Sequence, residues 1–213
     1  MSAIATLPAA SFAPPTPSPQ EPSRWKWTRE QFCELHERRY FEGKRVQLIF
    51  GEIIEMGAQN WPHFRIVVFV VELLRRTFNS GFWVVDEKPL LLANSAPVPD
   101  VMVIPGSIED FTAVPTMAAL VVEVADTSLF LDTTTKAELY ATGGILDYWV
   151  LDIENRQLHV FRDPVPLPAG LGATAYRTHT VLDTAETVSP LAAPHITIHV
   201  ADLLPAPQTE GRA

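Results

Sequence analysis

The 213-residue sequence contains only one cysteine, Cys33. This excludes an internal disulfide framework and any zinc site built from several cysteines. No apolar run reaches the ~18 residues that a transmembrane helix needs, so we expect no membrane span. The first residues lack a basic region followed by a continuous apolar segment, so we expect no secretory signal. These absences predict a protein of a reducing compartment, the cytoplasm.

Basic residues are also scarce, with 16 Lys and Arg against 25 Asp and Glu and a net charge of −9. This charge disfavours a protein that coats nucleic acid by bulk electrostatics, but it leaves room for a local basic groove. The N-terminal half is predicted to face phosphates, because the basic residues concentrate there: Arg24, Lys26, Arg29, Arg38, Arg39, Lys44, Arg45, Arg65, Arg75 and Arg76. Trp25 and Trp27 are expected to pack onto the domain rather than stack on bases.

Proline marks the predicted boundaries of the domain. Six of the 19 prolines fall within residues 1–22, where no apolar periodicity is present. We therefore predict a disordered Pro-rich tail over 1–22, a folded domain over 23–204 and a second disordered tail over 205–213. A protein-binding adaptor that uses the first tail is one possible role.

The apolar pattern of the domain mixes helices and strands. It predicts helices over 28–39, between Pro62 and Gly81, and over 131–142. It also predicts a hairpin over 45–56 that turns at Phe50–Gly51. Strands are predicted at 83–86, 89–93, 98–104, 119–125, 146–152, 158–162, 176–181 and 196–200, with a loop at 164–172. This order implies an α/β or α+β domain around a mixed sheet.

One acid interrupts the most apolar of these strands. Glu123 lies within the Val-Val-Glu-Val run of 119–125, which is typical of a central strand covered on both faces. A buried carboxylate costs several kcal/mol unless it is paired or binds a metal. Glu123 could instead face solvent at a strand end or pair with an arginine.

Two further charged residues flank this strand. Asp100 opens the apolar run 101–104, and Lys136 follows Glu123 at a spacing that lets its ammonium return over the strand end. Asp100 could equally cap a strand start, and Lys136 could be an ordinary solvated lysine. In the hairpin, Glu52 and Glu55 are expected on opposite faces, so that one of them could reach a functional edge of the sheet.

The histidines are scattered. His63 begins the long helix near Glu55 and could line a site. His195 and His199 have metal-like spacing, but in a strand these positions lie ~13 Å apart, so we take them as structural. The sequence has no phosphate-binding glycine loop, dinucleotide fingerprint, His-Glu-x-x-His or nucleophile elbow.

Two carboxylates at adjacent strand ends can hold Mg²⁺ together with several waters. The metal lowers the pKa of a bound water and stabilises charge on a phosphate. A nearby lysine orients or deprotonates that water and offsets the developing charge. The set Asp100, Glu123, Lys136 and Glu52 therefore suits phosphodiester hydrolysis without an organic cofactor.

The runs VPDVMVI and ALVVEVADTSLFLDTTTKAELYATGGILDYWVLD, with the GEIIEM hairpin before them, resemble the Uma-two family of restriction-endonuclease-like proteins. That family belongs to the PD-(D/E)xK nuclease superfamily, and the likeness extends from about Arg45 to Arg162. It implies an α/β (α+β), restriction-endonuclease-like fold, with a mixed central β-sheet flanked by helices and assembly as a homodimer.

The resemblance also implies roles. Asp100 and Glu123 would bind Mg²⁺ or Mn²⁺, and Glu52 would be an additional acid. Ala125 occupies the position of the superfamily lysine, which Lys136 on the following helix would replace. The implied activity is an endonuclease that hydrolyses DNA through a metal-activated water. The alternative is an inactive nuclease-fold protein that serves as a dimeric DNA-binding or interaction scaffold, which Ala125 and the acidic surface favour.

Overall fold

The structure, a computed structural model, describes residues 24–167 and 174–204. The tails expected at 1–22 and 205–213 therefore lie outside the described residues. In the part of the chain that is described, the longest helix has 17 residues, and none combines the length and the apolar character needed to cross a membrane.

The first elements of the described residues are a short helix and a hairpin, both at the predicted places. Helix α1, Arg29–Glu37, starts with a reciprocal cap, in which the Thr28 hydroxyl accepts from the Gln31 N–H and the Gln31 side chain accepts from the Thr28 N–H. Strands β1, Val46–Ile49, and β2, Glu52–Glu55, pair in antiparallel fashion.

The turn of this hairpin needs an unusual backbone conformation. Phe50 and Gly51 have φ angles of 48° and 80°. Two successive residues with positive φ form a turn whose twist matches that of the strands it joins. A Cβ on Gly51 would lie 2.9 Å from the Cβ of Lys26 and 3.1 Å from the carbonyl oxygen of Trp27. Only glycine therefore fits at this position.

Helix α2, Trp61–Thr77, confirms the long helix predicted after Pro62. The Asn60 side chain caps it by accepting a hydrogen bond from the His63 N–H, and Pro62 occupies the first turn, where its missing N–H is not needed. One face of the helix is buried in the main core: Ile66, Val67, Val70, Val71 and Leu74.

The central sheet has six strands that follow one another across it in sequence order. These are β3 (Phe82–Asp86), β4 (Val101–Pro105), β5 (Leu120–Ala125), β6 (Asp147–Asp152), β7 (Gln157–Pro166) and β8 (Thr174–Leu182). Strands β5 and β6 are parallel, and the other neighbours are antiparallel. This is the mixed sheet that the sequence predicts.

A helical segment over 129–142 connects the two parallel strands, as a parallel pair requires. It consists of α3 (Leu129–Leu131), a π-helical turn (Asp132–Lys136) and α4 (Ala137–Thr142). Two elements close the chain: β9 (Thr187–Val188) pairs with β10 (Ile198–His199), and α5 (Val200–Leu203) follows.

Helices cover both faces of the sheet. Val122 and Val124 join the core beneath α2 and α5, whereas Val121 and Ala125 face the core beneath α4. Because side chains alternate along a strand, Glu123 shares the face of Val121 and Ala125. The strand therefore directs its carboxylate toward the helical segment 129–142.

Three predicted elements differ from the structure. Residues 89–93 form no strand, because Leu90 and Leu92 are buried in the core while the Leu90 N–H bonds to the Pro97 carbonyl within a loop. Strand β7 continues to Pro166, into the predicted loop. Its pairing with β6 ends at Arg162, so its prolines lie where β7 pairs with β8 alone and a missing N–H is tolerated. The strand predicted over 196–200 shrinks to β10, because α5 begins at Val200.

We expect Gly51→Ala to destabilise the domain by more than Gly43→Ala. Both glycines have positive φ, a conformation that costs a residue with a Cβ about 1–2 kcal/mol. Only Gly51 adds a clash, because nothing lies within 4 Å of a Cβ on Gly43. Urea denaturation of both variants measures the difference, and equal midpoints would contradict the close approach of Lys26 to the turn.

Candidate active site

Strands β4 and β5 bring the first two predicted site residues together. Asp100 directly precedes β4, and Val101 pairs with Val122 on β5. The Asp100 Oδ2 accepts a hydrogen bond of 2.7 Å from the Val124 N–H, which fixes this carboxylate against the strand that carries Glu123. Both carboxylates are buried.

Lys136 reaches the same place from the helical segment. Its Nζ lies 2.9 Å from Glu123 Oε2 and 3.0 Å from Asp132 Oδ1. Glu123 is 2% exposed and Lys136 is 6% exposed. The ammonium therefore bridges a strand carboxylate and a helix carboxylate in the interior. The side chain of Lys136 returns over strand β5, as its spacing from Glu123 predicts.

Tyr140 completes the surroundings of Glu123. Its hydroxyl donates a 2.7 Å hydrogen bond to Glu123 Oε1. Neither Tyr140 nor Asp132 belongs to the site residues predicted from the sequence. Their spacing could have indicated them, because Asp132 and Tyr140 lie four residues before and four residues after Lys136, on the same face of a helix.

His63 lies on the opposite wall of the site. Its Nε2 is 3.3 Å from Asp100 Oδ2. Burial lowers the pKa of His63, but the hydrogen bond and the charge of Asp100 outweigh it, and the net shift is upward. Burial acts to raise the pKa of Asp100, and the contacts with His63, Lys136 and the Val124 N–H hold it below its ordinary value.

Above these residues lies an open cavity of about 230 Å³. Residues from β1, the end of β2, the start of α2 and the β5–α3 connection line it, including Arg45, Gln47, Glu55, Asn60, His63, Asp100, Glu123, Asp126, Ser128 and Lys136. The site is thus a charged floor beneath a solvent-accessible opening.

The structure does not bring Glu52 into this group. Its carboxylate pairs with Lys26 at 2.6 Å on the exposed surface, and Glu52 is not among the residues that line the cavity. Glu55 lines the cavity instead and pairs with Lys44 at 3.3 Å. The two acids face opposite sides, as expected, and Glu55 is the one on the side of the site.

The charges of the cluster perturb one another. Burial raises the pKa of Glu123 to about 8, with the charges of Asp100 and Asp132 acting in the same direction and Lys136 against them. Burial lowers the pKa of Lys136, but the neighbouring carboxylates outweigh it, and the net shift is upward. Lys136 therefore remains an ammonium, while Glu123 holds a proton more readily than an exposed carboxyl does.

The basic N-terminal segment, residues 24–45, is largely neutralised by neighbouring carboxylates. Six of its seven cationic side chains lie within 4.0 Å of a carboxylate: Lys26, Arg29, Arg38, Arg39, Lys44 and Arg45. The packing expected for Trp25 is wrong, since this side chain is 70% exposed. The segment therefore offers phosphates less free positive charge than its composition indicates.

The donors present fit a divalent cation bound by few protein ligands. Mg²⁺ is commonly held by one or two carboxylates and keeps several waters. Asp100 and Glu123 supply two such carboxylates at the cavity floor, and Asp100 Oδ1 takes no part in the contacts described above. Over residues 24–167 and 174–204, no group of three or more His, Cys, Asp or Glu side chains is arranged for a metal. Water and substrate oxygens would have to complete the coordination.

A six-stranded mixed sheet flanked by helices, with a carboxylate–lysine cluster at the ends of two strands, is the arrangement that the sequence resemblance implied for restriction-endonuclease-like nucleases. The Uma2 family model, described as "Putative restriction endonuclease", matches residues 29–201. Because this match spans most of the chain, the protein belongs to the Uma2 family, which supports a nuclease-like function.

A solved structure agrees with this fold. The crystal structure of "a putative nuclease belonging to DUF820 from Anabaena variabilis ATCC 29413" is similar to this chain with a TM-score of 0.64 and 19% sequence identity. The match covers 83% of this chain and 96% of that chain. At this identity the likeness concerns the fold, and it confirms the predicted class. No curated protein matches the chain.

We expect Lys136→Met to lower the free energy of unfolding by about 3–5 kcal/mol at a pH above the pKa of Glu123, because it then leaves two buried carboxylates without their cation. Lys44→Met is the matched control, since its ion pair with Glu55 is exposed and contributes little. Urea denaturation compares the two variants. Equal loss of stability in both would contradict a tightly paired interior cluster.

The raised pKa of Glu123 predicts a pH dependence of stability in EDTA. The folded protein binds this proton more tightly than the unfolded chain, whose carboxyl titrates near 4.5. The stabilisation is complete below that value and is lost as the pH rises through about 8. Glu123→Gln has no such proton. The difference between its Tm and the Tm of the wild type should therefore increase as the pH rises from about 4.5 to about 8. The exposed Glu34→Gln is the control, and a difference that stays constant for Glu123→Gln would contradict the assignment.

Proposed function

We propose that this protein is a metal-dependent endonuclease that hydrolyses phosphodiester bonds in DNA. The observation that carries the proposal is the cluster of Asp100, Glu123 and Lys136 at the floor of an open cavity. Replacing buried ion pairs by apolar residues is often neutral or stabilising, so stability alone gives weak reason to keep such a cluster. Membership of a family described as restriction endonucleases supports the choice of nucleic acid as substrate.

Each residue of the cluster has a chemical part in this proposal. Asp100 and Glu123 would hold Mg²⁺ or Mn²⁺, which when bound activates water for attack and neutralises phosphate charge. Lys136 keeps its proton because two carboxylates surround it, and its fixed ammonium offsets negative charge that develops on the phosphate. Tyr140 holds Glu123 in place through its hydrogen bond to Oε1. His63 does the same for Asp100 from α2.

Three further parts of the proposal rest on the sequence predictions alone. A homodimer and a cytoplasmic location remain predictions, and the specific choice of DNA over RNA belongs with them. Sedimentation of the purified protein tests the first of these.

A plasmid-nicking assay with Mg²⁺ or Mn²⁺ tests the activity. We expect Asp100→Asn to lower the cleavage rate about a hundredfold or more, since it removes a charged group from the reaction centre. Glu34→Ala, on the exposed surface of α1, is the control and should cut like the wild type. Calorimetry should show metal uptake by the wild type and weak or absent uptake by Asp100→Asn. Cleavage by Asp100→Asn at the wild-type rate would refute the assignment of the site.

The same assay decides the part of Glu52. Because its carboxylate lies outside the cavity, we expect Glu52→Gln to retain cleavage, and a large loss would restore the role that the resemblance implied. A wild type that neither binds metal nor cuts would favour the scaffold alternative.

A further inference from the structure

Two large aromatic side chains are exposed on the chain segments that line the cavity. Trp61 is 70% exposed and Phe130 is 81% exposed. Trp61 lies between the cavity-lining residues Asn60 and His63, and Phe130 directly precedes the lining residue Leu131. The two rings therefore belong to the two chain segments that wall the cavity.

These segments are tied to each other. The Asn60 Nδ2 donates a short hydrogen bond to Asp126 Oδ2, at the start of the β5–α3 connection, and Asn60 Oδ1 accepts a 3.0 Å hydrogen bond from the His63 N–H. Phe64 extends the aromatic surface, with its ring centroid 5.4 Å from that of Trp61. The aromatic surface is thus held in a defined position relative to the cavity floor.

The charges around the cavity leave little to attract a polyanion. Four carboxylates line it: Glu55, Asp100, Glu123 and Asp126. Its two cationic residues, Arg45 and Lys136, are both ion-paired. Binding that rests on phosphate contacts would therefore be weak here.

The face of a nucleobase is uncharged, so the carboxylates around the cavity do not repel it. Stacking on an aromatic side chain strengthens binding by about tenfold or more per base and tolerates every base. In a duplex the bases are already stacked on one another, so their faces become available only where a strand is unpaired.

We propose that Trp61 and Phe130 stack on unpaired nucleobases that flank the phosphate held in the cavity. The substrate class is then single-stranded or locally unpaired nucleic acid, such as flaps, gaps and bulges. This inference rests on the proposed function, because it requires a phosphodiester at the cavity floor.

Binding in EDTA tests the inference without cleavage. Fluorescence anisotropy compares a labelled single strand, the same sequence as a duplex, and an abasic strand with the same number of phosphates. The single strand should bind about a hundredfold more tightly than the other two, because these offer no base to either ring, and Trp61→Ala and Phe130→Ala should each remove about tenfold. Trp25→Ala is the matched control, because Trp25 is as exposed as Trp61 but lies on a segment that contributes no residue to the cavity.

Equal affinity for the three strands would overturn the inference. So would a wild-type dimer that Trp61→Ala dissociates in sedimentation experiments, because the ring would then serve a contact between copies. Cleavage that is unaffected by both alanine variants would overturn the inference and leave the proposed nuclease intact. Base-dependent binding without cleavage under any metal would retain the stacking surface and refute the nuclease.

Discussion

The ion pair between Glu123 and Lys136 is the interaction on which the rest of the site depends. A carboxylate in the middle of a covered strand must be compensated, and the compensating ammonium comes from the helical segment that follows. The pair therefore fixes how the crossover between β5 and β6 lies on the sheet. Asp132 and Tyr140 are drawn into the interior with it, since both contact members of the pair. The same contacts among Glu123, Lys136, Asp132 and Tyr140 thus pack the helical segment onto the sheet and build the candidate site.

The sequence predicts the parts of this arrangement that follow from periodicity and burial. A nearly all-apolar strand with one acid indicates both a central position and a carboxylate that needs a partner. Pro62 and the Phe50–Gly51 step mark the start of a helix and a turn, because proline fixes its own φ angle and glycine readily adopts the positive φ that the turn requires. Residues 89–93 show where this reasoning stops. Their leucines are buried, as a strand would require, but tertiary contacts of a loop bury them equally well.

The sequence predicts which charged residues meet at the site better than it predicts which acid of the hairpin reaches it. Asp100, Glu123 and Lys136 meet as their spacing allows, whereas the hairpin contributes Glu55 at the cavity and not Glu52. Which acid of a hairpin faces a site depends on how the hairpin is placed on the domain, and no local pattern encodes that placement.

The pairing of surface charges likewise depends on the tertiary structure. The basic N-terminal segment is evident in composition, but its pairing with acids from α1, the hairpin and the loop after β3 is visible only in three dimensions.

The π-helical turn at 132–136 determines from which element the cation beside Glu123 comes. A π turn accommodates one residue more than an α turn, so it is equivalent to an insertion that the helix absorbs locally. Lys136 ends that turn and pairs with Glu123, whereas position 125 on β5 holds a small apolar residue. Ala125 is fully buried against the same core as Ala137 and Tyr140, where only a small residue lets helix and strand approach closely. The helical segment thus supplies the buried cation beside Glu123, while position 125 on the strand contributes only to packing.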